Sequence, residues 1–304
     1  MAKLPSIGEM CKILGDPKAP KVITQKAFDC VQTPLERLAA LQPGDQPEES
    51  DLIDYALDLK YVSPLQKDLM LYVLPFCLGS WYQALIKNQS SNFTQEFHAA
   101  LASRGNVIAE TAGLEVQDFV RDYQRRGILD SMARENSLEH TGMQSTPYRW
   151  IHHLASYGTI WDDVETLVRE WREMRVEGYA ICCLQYFSSL AFRTYENPVF
   201  SPWTGEGGGG PPLFWVYESL GFQECWKEKN LEFFRHFLTV EEVKSWAAEA
   251  AQVVREHPHR NRARLVVEGI STTPGRVESR LADLFRYLGT PSRPEVWEWS
   301  DYDE

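Results

Sequence analysis

The chain has 304 residues, 43% of them hydrophobic, and a formal net charge of -12. That apolar content suffices for a large buried core and excludes a disordered chain. The acidic balance argues against a general nucleic-acid or anionic-membrane binder, because either surface would repel it.

Met1 to Ala27 is broken by Pro5, Gly15, Pro17 and Pro20, so one short helix is expected near Ile7 to Leu14. Thr33-Pro34-Leu35-Glu36 reads as a helix start, with Thr33 as N-cap and Glu36 reaching back. That helix should end before Gly44. Leu52, Ile53 and Ala56 mark another.

Ser63-Pro64-Leu65-Gln66 repeats the start signal and opens an apolar helix from Leu69 to Ile86. This stretch carries no charge and reaches the length threshold of a membrane span. Pro75, Gly79, Ser80 and Gln83 within it, and the absence of a flanking basic cluster, favour a buried helix. Phe93, Phe97, Ala100 and Leu101 give a further helix closed by Gly105. Val116, Phe119, Val120 and Tyr123 give the next, with Gly127 placed as its terminator.

Glu135 to Pro147 is polar and aperiodic and is the expected boundary between two helical lobes, 1–134 and 148–304. Trp150, Ile151 and Leu154 mark a short helix. From Trp161 to Phe192 the pattern starts amphipathic and becomes wholly uncharged after Tyr179. A helix apolar all round must be surrounded by other elements, so this stretch is read as one central core helix.

Ser201 to Pro212 contains the glycine loop 204–212, followed by a short aromatic helix from Leu213 to Leu220. Leu231, Phe234 and Phe237 mark another helix. Thr239-Val240-Glu241-Glu242 is a full capping box, with Leu238 and Val243 placed as a hydrophobic staple. Arg264 to Val267 is the best strand candidate. Val277, Leu281, Leu284, Phe285 and Leu288 carry the last helix, and the tail 294–304 alternates acids with aromatics.

The fold expected is therefore mainly α: an irregular array of about ten helices, bundle-like or orthogonal, with at most a minor β-hairpin near the C-terminus.

Few motifs carry chemistry. Cys11, Cys30, Cys77, Cys182, Cys183 and Cys225 form no C-x-x-C pair, so zinc and redox spacings are missing. Met1 to Ile13 holds no long apolar run, so no signal peptide is expected and the cytoplasm is the expected compartment. Gly207 to Gly210 lacks the G-x-G-x-x-G spacing, and Gly269 to Val277 lacks the lysine and hydroxyl of a phosphate loop. No cofactor is implied.

His257-Pro258-His259 offers two imidazoles, and Glu256 with His259 makes an E-x-x-H, but Pro258 should break the helix that would align them. No metal site is expected. Asp162, Asp163 and Glu165 read as favourable charge at a helix start. Glu232 and His236 stand four residues apart, the spacing of an acid/base pair, but a lone pair of this kind reads first as an ordinary surface contact. Arg255, Arg260, Arg262 and Arg264 stand out in an acidic chain. They either complement the dipole at a helix C-terminus or bind phosphate or an acidic segment.

These residues lead to a first expectation of a cytoplasmic helical interaction or regulatory protein that binds another protein. The contacts would be Arg255, His257, His259, Arg260, Arg262 and Arg264, with Trp297 and Trp299 of the tail. The alternative is an enzyme or small-molecule binder whose aromatic pocket lies near Trp203 and Trp215. A distant third is nucleic-acid contact through Arg255–Arg264. Membrane contact is not expected.

Overall fold

Helical periodicity prevails almost everywhere in the computed structural model, which describes residues 3–25, 27–87, 91–103, 107–141, 147–156, 163–192, 196–201 and 226–289. Those residues form fourteen α-helices, so the protein is mainly α with more helices than expected. The glycine loop 204–212, the short helix expected from Leu213 to Leu220 and the tail 294–304 lie outside the described residues. Contacts divide the described chain into two units, one running to Gly127 and one from Ile128 onward.

The first unit holds α1 (Ile7–Ile13), α2 (Gln32–Ala40), α3 (Glu49–Tyr61), α4 (Lys67–Ile86), α5 (Asn92–Ser103), α6 (Val107–Ala112) and the first part of α7 (Leu114–Arg134). α4 is its centre, contacted by α1, α2, α5 and α6, while α3 packs on α2 and α5. Leu69, Val73, Cys77, Leu78 and Trp81 of α4 are wholly buried. α4 is long and apolar enough to cross a membrane by length and composition, yet 56% of that window is buried inside the protein.

Two helix starts differ from the sequence reading. α2 begins at Gln32, continuing a 3-10 turn over Asp29–Val31, and has no side-chain cap. Glu36 does not reach back; its carboxylate accepts from the Gln32 amide at 2.7 Å. α4 begins at Lys67 rather than beside Ser63-Pro64. Gln66, just before it, is claimed by a distant segment. Its backbone N–H donates to Gln25 Oε1 at 2.7 Å, and its Oε1 accepts from the Thr24 N–H at 2.8 Å.

Gly127 does not end its helix. It lies inside α7, where a Cβ would sit 2.8 Å from the Trp81 indole. Glycine is there for close packing, which outweighs its cost of about 1 kcal/mol in a helix interior.

The second unit holds the end of α7, then α8 (Arg149–Ser156), α9 (Val164–Arg172), α10 (Glu177–Ala191), α11 (Glu228–Phe237), α12 (Val240–Val253), α13 (His257–Thr272) and α14 (Pro274–Leu288). The expected single central helix is two, α9 and α10. The break contains Met174, whose φ of +50° is left-handed and incompatible with helix continuation. Every residue of α10 from Gly178 to Ala191 is buried. It packs on α12, α13 and α14. A Cβ at Gly178 would meet the Met132 carbonyl oxygen at 2.2 Å, so only glycine allows that approach to α7.

Val240–Val253 starts as read, with Thr239 Oγ1 accepting from the Glu242 N–H at 3.1 Å. Leu238 and Val243 are both buried, as a staple requires. The reciprocal half of the box is missing, because Glu242 Oε1 instead accepts from Arg172 Nε at 2.7 Å.

The strand expected at Arg264 to Val267 is helical, inside α13. Leu265-Val266-Val267 has strand composition, but Ala263, Val266 and Ile270 share the buried stripe of a helix. The pairing present among the described residues is parallel, His140–Thr141 with Phe200–Ser201.

Candidate functional site

The basic window lies where α12 passes into α13, and the sense of that placement corrects the sequence reading. Arg255 stands one residue past Val254, the C-cap of α12, as the sequence suggested, whereas Arg260 lies in the first turn of α13, where the helix dipole is itself positive, and Arg262 and Arg264 lie further along that helix. Pro258 does not break a helix. It occupies the first turn of α13, where its missing N–H removes no bond. Glu256 is the N-cap residue, and its carboxylate comes within 3.8 Å of His259 Nδ1.

The window's side chains divide into two sets. Arg262 pairs with Glu139 at 2.8 Å, and Arg260 Nε donates to the Arg255 carbonyl at 2.7 Å. The Arg255 backbone N–H donates to Glu177 Oε1 at 2.6 Å, fixing the turn on the start of α10. The guanidinium groups of Arg255 and Arg264 have no partner among the described residues. Arg255, His257, Arg260, Arg264 and Leu265 are exposed, while Ala263, Val266 and Ile270 anchor the opposite stripe. Arg260 and Arg264 are four residues apart and therefore share a face. The arrangement presents cations and an apolar side chain on a rigid helix, suited to hydrogen-bonding carboxylate or phosphate oxygens.

Trp203, Trp215, Trp297 and Trp299 lie outside the described residues. Glu232 and His236 form no acid/base pair: His236 Nδ1 lies 2.7 Å from the Glu232 backbone carbonyl, closing a helical turn. Asp163 caps α9, its carboxylate accepting from the Thr166 N–H at 3.4 Å and from the Thr166 hydroxyl at 2.7 Å. Gly269 to Val277 is the junction of α13 and α14 at Thr273. Among the described residues no group of three His, Cys, Asp or Glu side chains is placed to hold a metal ion.

Two buried histidines escaped the sequence reading, since nothing in their local spacing marks them. His98 in α5 is 1% exposed; its Nδ1 lies 2.6 Å from the Thr94 carbonyl and its Nε2 2.9 Å from Gln124 Nε2. Burial drives its pKa down to about 4. His152 in α8 is 1% exposed, stacked on Tyr186 with Nε2 3.0 Å from that hydroxyl. Trp226 and Phe234 close around it. Burial drives its pKa to about 3. Both are neutral imidazoles at pH 7. The thiols of Cys77, Cys182 and Cys183 are buried, and burial raises their pKa values, which keeps them protonated and weakly nucleophilic.

No family model matches the chain, no curated protein matches it and no solved structure matches its fold.

Proposed function

We propose that this chain is a non-catalytic helical protein that binds another protein by docking an acidic segment on the start of α13. The observation that carries this reading is the exposure of Arg255, Arg260, Arg264 and Leu265 along the turn before α13 and the first half of that helix. In a chain of net charge -12, such a patch is a local reversal of sign. It selects an acidic partner while the remaining surface repels one. The buried, neutral state of His98 and His152 and the protonated state of the core thiols fit packing roles rather than acid/base or nucleophilic ones. The cytoplasm remains the proposed compartment, supported by the acidic character of the chain and by the lack of any disulfide among Cys11, Cys30, Cys77, Cys182 and Cys183 of the described residues.

The test is affinity capture with the full chain and with an Arg260→Glu/Arg264→Glu variant, read by quantitative mass spectrometry. The bound partner should be lost from the variant while helicity by circular dichroism is retained. Retention of the same partner by the folded variant refutes the surface. Enrichment of nucleic acid, lost steeply with salt, would replace the reading with the third expectation. A partner gained on deleting 294–304 would mean that the chain's own acidic tail competes for the patch.

A further inference from the structure

In the first unit, a surface cavity of about 580 Å³ opens beside the N-terminus of α3, the last turns of α4 and the start of α5. That volume lies in the range of small-molecule sites, about 300–1,000 Å³. Its apolar lining includes Pro47 and Ala84, both partly exposed, with Leu52 and Phe93, each 1% exposed, buried beneath. Its walls carry one carboxylate, Glu49, and one ammonium, Lys87. These opposite charges share the cavity without forming an ion pair with each other or with any other described residue.

The polar groups here are unspent. Both bonds to Glu49 fall on one oxygen: Oε1 accepts from the Ser91 hydroxyl at 2.8 Å and from the Phe93 N–H at 3.5 Å. Oε2 accepts from no described residue. The side chains of Ser80 and Gln83, which also line the cavity, hydrogen-bond to no described residue. The cavity therefore offers an anion receptor at Lys87, a cation receptor at Glu49, amide and hydroxyl partners at Gln83 and Ser80, and apolar lining at Pro47 and Ala84.

We propose that this cavity binds a small zwitterion of the amino-acid class, free or at the ends of a short peptide. The ligand's carboxylate meets Lys87, its ammonium meets Glu49 Oε2, and an apolar side chain rests against Pro47 and Ala84. A ligand carrying both charges satisfies both walls at once, which neither a simple anion nor a simple cation does. The site lies in the first unit and is independent of the α13 surface, so the failure of either reading leaves the other standing.

Isothermal titration of the full chain with L-leucine, L-glutamine and glycyl-L-leucine tests this, with the uncharged N-acetyl-L-leucinamide as control. At least one zwitterion should bind saturably and the neutral control should not. Comparison of leucine with the dipeptide decides between a free amino acid and a peptide. Lys87→Met, a change at an exposed side chain, should weaken binding by about tenfold or more, and Glu49→Gln likewise. Unchanged circular dichroism and melting temperature in Lys87→Met exclude unfolding as the cause. The proposal is overturned by absence of saturable heat with all three zwitterions, by equal binding of the neutral control, or by wild-type affinity in Lys87→Met.

Discussion

Leu184 has no exposed surface, on a helix buried on every side. Truncating it removes packed methyl groups and leaves a cavity the surrounding helices cannot close. We expect Leu184→Ala to cost about 2–5 kcal/mol in urea unfolding, and a loss below about 0.5 kcal/mol would contradict its core position. Met174 poses the opposite problem. Its φ of +50° is strained for any residue with a Cβ and worse for a branched one. Met174→Gly should cost less than the roughly 1 kcal/mol of a helix-interior glycine, whereas Met174→Val should cost at least about 1 kcal/mol. Similar losses for the two changes would show that packing, not backbone conformation, governs this position.

At the scale of elements, α10 ends with no glycine cap, and its last carbonyls are met by arginines of α14. Arg276 Nη1 donates to the Ala191 carbonyl at 2.9 Å, and Arg280 Nη1 donates to the carbonyls of Ser189 and Phe192. These groups would otherwise be orphans at a buried helix end. Arg280→Met keeps the apolar stem and removes the donors, so it should cost about 1–3 kcal/mol. Amide exchange should quicken first at the end of α10; an unaffected last turn would rule out this capping role. Those contacts were illegible in sequence, because they join residues 85 to 91 positions apart. What was legible is local. The apolar stripes of α9, α12 and α14, the Thr239 cap and the sealed character of α10 all follow from three- and four-residue spacing. Where sequence reading failed, a distant partner had overridden a local signal. Glu36 and Glu242 were diverted from capping boxes by Gln32 and Arg172, and Trp81 packs on Gly127 inside a continuing helix. The site follows the same rule. The arginines from Arg255 to Arg264 are close in sequence and could be named, though Arg260, Arg262 and Arg264 lie in a second helix rather than in a loop after the first. The Glu49–Lys87 cavity is assembled from three separate segments and left no local trace.

On the scale of the whole molecule, each unit carries, among the described residues, a buried histidine held neutral, and both contribute to acid lability. His98 belongs to the first unit and His152 to the second. Their folded pKa values, about 4 and about 3, lie below the ordinary 6.5. Below pH 6.5 the unfolded chain therefore binds more protons than the folded one, and stability falls with pH. The contribution is complete above pH 6.5 and is lost progressively down to about pH 4 for His98 and about pH 3 for His152. For His98 the full loss is on the order of 3 kcal/mol. Glu249 adds a second, lower window. The double hydrogen bond from Arg172, at 2.5 and 2.7 Å, holds its pKa near 2, below the ordinary 4.5. Its stabilisation is present above pH 4.5 and lost as pH falls toward 2. Its side chain is 49% exposed, so solvent screening keeps this below about 1 kcal/mol. Urea unfolding from pH 7 to pH 4 should show stability declining across the histidine window before any carboxylate effect. His98→Phe removes the titrating group and the 2.9 Å contact with Gln124 Nε2, so it should flatten the pH slope of the first unit. An unchanged slope in that variant would mean that His98 is protonated without penalty in the folded state, and that the acid response originates elsewhere.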